Sequence, residues 1–147
     1  MVARLLAAIA ALLCAIGPAR AQDAAWADVL AKARGQTVHW NAWAGDEKTN
    51  AFIAWVGDEV AKRHGVKVVH VKLKDTAEAV TRVVAEKAAG RDSGGSVDLV
   101  WINGANFLAL RQQKLLFGPY AERLPNWRYV DTAGKRSNLV DFTIPHE

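Results

Sequence analysis

Residues 69–78, VHVKLKDTAE, join an apolar run to the start of a helix, and the fold turns on how that joint is read. The run at 66–73 does not alternate cleanly between apolar and polar residues, as expected of a strand covered on both sides. Asp75 follows, with Glu78 three residues on. That spacing is a capping box: Asp75 accepts from the backbone near Glu78, and Glu78 reaches back. Val80, Val83, Val84 and Ala88 then form an apolar helical stripe, and Gly90 is the expected stop. Between strand and helix lies a polar junction of Lys72, Lys74, Asp75 and Thr76.

The same joint occurs twice more. Residues 36–43 are rich in Thr, Val and Trp and read as a strand. They run through Asn41, Trp43 and Ala44 to Gly45, which permits a tight turn, and Asp46, which can cap a helix. That helix is expected over 47–64, with Phe52, Ile53, Val56 and Val60 on one face and Gly65 as its end. Residues 97–102 read as a third strand, which Asn103, Gly104, Ala105 and Asn106 turn into a helix over 107–113. Three strand–helix units with short, right-handed connections give an α/β fold: a parallel sheet with helices on both faces. Ligands of such sheets sit outside the carboxyl ends of the strands. Those ends are the three junctions.

The flanks are plainer. A short helix is expected between Gln22 and Gly35, with Trp26, Val29 and Leu30 at helical spacing and Trp26 as a packing anchor. Beyond the third helix, a loop containing Pro125 leads to a short extended piece at 127–130. Residues 131–138 read as turns and 139–144 as another strand.

At 147 residues, 51% of them apolar, the chain is long enough for one domain with a real core. Residues 1–21 read as a secretory signal peptide: Arg4 opens it, Leu5 to Ile16 is apolar, and Ala19-Arg20-Ala21 is a small-x-small cleavage site. The apolar run is too short for a membrane span, which disfavours an uncleaved anchor. Without Arg4 and Arg20, the 19 basic residues become 17 against 15 acidic ones, so the net charge falls from +4 to +2. No nucleic-acid partner is expected from so weak a balance. The single cysteine, Cys14, lies inside the signal and follows Leu13, where a lipoprotein needs a small residue. The mature chain, from Gln22, then has no thiol and no disulfide.

The chemistry-bearing residues point to binding more than to catalysis. Gly90 and Gly95 imitate a phosphate loop, but Ser96 stands where lysine is required, and the segment precedes a strand. His39, His64, His70 and His146 share no metal-ligand spacing, so no metal is expected. Asp46, Asp75 and Glu78 could do acid–base work near the ligand edge, although helix capping accounts for all three. A secreted hydrolase using Asp46 and Asp75 is the rival reading, and it lacks a visible nucleophile. Lys74 lies beside a helix N-terminus that favours an anion. Trp43 sits in a turn, where it either stacks on a flat or cationic ligand or plugs the loop against the core. Trp40 and Trp101 lie inside strands and read as core.

Several words of the sequence resemble one family. WNAWAG (40–45), VKLKDTAEAV (71–80), AEKAAGRD (85–92) and GGSVDLVWING (94–104) are similar to the solute-binding proteins of bacterial ABC importers, in the YnjB-like branch associated with thiamine-type solutes. LLFGP (115–119) and VDFTIP (140–145) also resemble that group. The resemblance implies the first lobe of a type II periplasmic binding protein: a three-layer parallel sheet with helices on both faces. It implies a receptor that makes and breaks no bonds and needs no cofactor. Such a receptor captures a small-molecule solute in the periplasm and delivers it to an inner-membrane permease. Carried onto this chain, the family's ligand-lining junctions are Asn41, Trp43, Gly45 and Asp46; Lys74, Asp75 and Thr76; and Asn103, Gly104 and Asn106. Members of the family are more than twice as long, so residues 22–147 are expected to be an N-terminal fragment without its second lobe.

Overall fold

A computed structural model describes residues 26–141 and 144–145. The expected signal peptide, its cleavage site and the first residues of the mature chain lie outside the described residues. Residues 26–33 form a helix, α1, in a unit separate from the one that begins at Gly35. Trp26 is 39% exposed there.

From Gly35 onward the elements follow in alternation. They are β1 (Thr37–Trp43), α2 (Glu47–His64), β2 (Lys67–Leu73), α3 (Ala77–Ala88), β3 (Leu99–Val100) and α4 (Gly104–Gln112). The three strands form one parallel sheet in the order β2-β1-β3. Thr37 pairs with Lys67 and the register runs unbroken to Trp43 with Leu73. On the other side Trp40 pairs with Leu99 and Asn41 with Val100. The chain is therefore α/β, with a small parallel sheet and its helices.

β3 is much shorter than the strand expected over 97–102. Asp98 turns its side chain back onto His39, accepting from the backbone N–H at 2.8 Å and from Nδ1 at 3.0 Å. The ladder frays from there, although Asp98 N–H still reaches His39 O and Trp101 N–H reaches Asn41 O.

The helix α2 starts and stops where its residues dictate. Asp46 caps it, accepting from Thr49 N–H at 2.8 Å, and Gly65 N–H closes it on Ala61 O at 2.9 Å. Its buried face is narrower than the stripe expected. Ile53 is buried and Gly57 lies so near β2 that a Cβ there would stand 3.5 Å from Val68. Phe52, one residue and about 100° round the helix from Ile53, is instead exposed and pairs with Trp55 at 5.9 Å.

The inward face of α3 also differs from the expected stripe. Ala79 is its fully buried residue, and Ala88 is exposed. Ala79, Arg82, Val83 and Glu86 share one helical face at i, i+3, i+4 and i+7. Arg82 donates to Asn41 Oδ1 at 3.1 Å, and Glu86 accepts from Ser96 Oγ at 2.7 Å and from Ser96 N–H. Two charged residues therefore lie on the face toward the sheet, each with a partner, which is why a count of apolar positions misplaces it. Alternation along β1 and β2 sets Asn41 and Val68 on opposite faces, so α3 and α2 meet opposite sides of this sheet.

The core gathers one residue each from β1, α2, β2, α3 and α4 (Ala42, Ile53, Leu73, Ala79 and Leu110), with Val66 just before β2. Beyond α4 the chain has a cis Gly118–Pro119 bond and short 3-10 turns. Pro125–Tyr129 is one of those turns, where an extended piece was expected at 127–130. The strand expected over 139–144 is a two-stranded antiparallel hairpin, β4 (Val140–Asp141) with β5 (Ile144–Pro145).

Candidate functional site

The parallel pairing brings the three junctions to the same end of the sheet. β1 and β2 end side by side at Trp43 and Leu73. On the other side the pairing ends at Asn41 with Val100, beyond which Trp101 N–H still bonds to Asn41 O at 2.9 Å. The chain thus leaves the sheet at Ala44 and Lys74 side by side, and leaves β3 two residues short of that level, all three at the carboxyl side of the sheet. With neighbouring strands 4.7–4.9 Å apart, the three exits span about 10 Å, the width of a small molecule.

At the first junction, Ala44 N–H bonds to Leu73 O at 3.0 Å, and Asn50 Nδ2 donates to Ala44 O at 3.0 Å. This holds the turn down and leaves Trp43 49% exposed. The indole lies across Gly45: a Cβ there would fall 2.0 Å from the ring. Only glycine leaves room for it, so the turn and the aromatic surface form one unit. Asp46 accepts from both Thr49 N–H and Thr49 Oγ1, the latter at 2.7 Å. The Thr49 hydroxyl, then the backbone N–H groups, hold its carboxyl below the ordinary value, against a smaller opposing effect of burial.

At the second junction the capping box forms in part. Glu78 Oε1 reaches back to the N–H groups of Lys74 and Asp75, both at 3.1 Å. Asp75 Oδ1 accepts from Ala77 N–H at 2.8 Å, two residues on, and not from the Glu78 backbone. The Glu78 N–H bonds to Asp75 O instead. The Asp75 side chain therefore reaches one residue less far than in a full capping box, with Thr76 at the cap position but making no side-chain cap. Lys74 is exposed and forms no ion pair with a described residue.

The third junction begins earlier than expected. The helix starts at Gly104, not at residue 107, so Asn103 is its cap residue and Asn106 lies in its first turn. Gly104 has φ +53°, a left-handed conformation that other residues adopt with strain. Asn103 makes no side-chain cap. Its place is taken by Asp141 of β4, whose Oδ2 accepts from Gly104 N–H at 2.6 Å. No sequence pattern points to Asp141: it lies 37 residues away and follows no capping spacing.

Asn41 is placed differently from its companions. It is fully buried beneath the edge. Its Nδ2 donates to the carbonyls of His39 and Ser96, and its Oδ1 accepts from Arg82. A side chain so engaged ties β1 to α3 and to the loop before β3. Trp40 and Trp101 stack at 6.1 Å with an 18° interplanar angle, and Trp101 is 49% exposed, so the pair is a surface feature more than a core one.

The concavities lined by Val83 to Phe117, by Ile53 to His70 and by Gly118 to Trp127 include no residue of the junctions. No group of three or more His, Cys, Asp or Glu among the described residues is arranged to hold a metal, and no described helix is long and apolar enough to cross a membrane.

No protein-family model matches the chain, and no solved structure matches it. Among curated proteins, Protein YnjB of Escherichia coli (strain K12) is 46% identical over 120 residues, covering 82% of this chain. The chain spans 30% of the length of that relative.

Proposed function

We propose that this chain is the first lobe of the periplasmic solute-binding receptor of a bacterial ABC importer. It would take up a small solute at the shared edge of the three junctions and present it to the inner-membrane permease. The observation that supports this reading is the parallel pairing of β1 with β2 and β3, which puts the carboxyl ends of all three strands on one side of the sheet. The similarity to YnjB over 82% of this chain is compatible with it. The three-layer type II lobe, the export to the periplasm and the second lobe that would close the cleft belong to the same proposal.

The edge itself favours the sign of the solute. Helix starts attract anions, but here each start already carries a carboxylate of the chain: Asp46, Asp75 and Asp141. Glu47 and Glu78 add two more, against the three ammonium groups of Lys48, Lys72 and Lys74. An anionic solute would meet like charge, while a flat organic cation could stack on Trp43. That composition fits a thiamine-like solute better than a phosphorylated one.

The hydrolase reading finds less support. Asp46 and Asp75 are both engaged in capping, and the hydroxyl that Asp46 holds, that of Thr49, belongs to the same cap. Calorimetric titration of the full chain with thiamine, followed by mass analysis of the ligand, separates the two. Saturable binding with thiamine recovered intact is expected. Turnover abolished by Asp46→Asn would establish the hydrolase in its place.

A further inference from the structure

We infer that Asp141 is a positioning residue of the candidate edge, holding the third junction in place from the C-terminal hairpin. The first N–H groups of a helix have no partner within it. In α2 that need is met by the neighbouring Asp46, and at the start of α3 by Asp75, each within three residues of the N–H it accepts from. In α4 the local candidate, Asn103, makes no side-chain cap, and the acceptor comes from β4 across 37 residues. The contact is short, 2.6 Å, and charge-assisted. It falls on Gly104, whose left-handed backbone sets the direction in which Asn103 and Asn106 leave the sheet.

Asp141 is itself fixed by pairing with Ile144 in the hairpin. The position of the third junction therefore depends on that hairpin, and a shift of the one moves the other. The importance of this for solute binding rests on the proposed function. The contact does not, and its test needs no solute.

Amide hydrogen exchange, read residue by residue by NMR on the full chain, tests it. Asp141→Ala removes the acceptor, and Gly104 exchange is expected to rise about five-fold or more, the equivalent of a lost cap, while the amides of α2 keep their rates. Asp141→Asn retains an oxygen acceptor and is expected to restore much of the protection, which also covers the case in which the alanine variant fails to fold. An unchanged Gly104 rate in Asp141→Ala would overturn the inference. So would a rise shared equally by α2, since Asp141 would then act on general stability alone.

Discussion

Gly45 and Trp43 set the character of the edge at the scale of single residues. Because a Cβ at residue 45 would fall inside the indole ring, Gly45→Ala must displace Trp43. The expected outcome is an altered near-UV tryptophan signal and weaker solute binding, with a smaller change in melting temperature than in affinity. Asp46 and Glu86 make a second prediction. Both carboxyls are held below their ordinary values, Asp46 by Thr49 and Glu86 by Ser96. A depressed folded-state value means that each contributes stability above its unfolded value, 3.8 and 4.5 respectively, and loses it as pH falls through the lower folded value. Urea midpoints should therefore drop below about pH 4.5. Thr49→Val should shrink that drop by removing the hydroxyl from Asp46. An identical acid profile in the variant would contradict the assignment. Much at this scale was legible in the sequence, because caps such as Asp46 act over three residues. Asp141 was not, since its partner is set by tertiary folding, and neither was the burial of Asn41, whose polar side chain gives no hint of Arg82 above it.

At the scale of elements, the strand–helix alternation is written locally, and β1, α2 and β2 fall within a residue of their expected bounds. The inner faces of the helices were less legible. An apolar stripe assumes that charged residues face water, and α3 breaks that assumption with Arg82 and Glu86. In α2 the buried line runs through Ile53 and leaves Phe52 outside. This distinction is measurable. Ile53→Ala should cost about 2–5 kcal/mol, as for a buried aliphatic residue truncated in a core. Phe52→Ala should cost far less, despite the larger side chain. Urea denaturation of both variants checks the order, and a larger loss for Phe52 would place the wrong face inward.

At the scale of the whole molecule, a parallel register and three similar junctions produce one edge, about 10 Å wide, with an exposed indole and self-capped helix starts. Concavities formed by the described residues also lie away from that edge. A binding surface of this kind should hold a solute weakly on its own and depend on the aromatic surface for what affinity it has. The most direct measurement is calorimetric titration of thiamine and of inorganic phosphate into the full chain and into Trp43→Ala. The account predicts saturable binding of the cation, weakened by about 0.5–2 kcal/mol in the variant, and none of phosphate. Phosphate binding that the variant leaves intact, with no heat from thiamine, would contradict it.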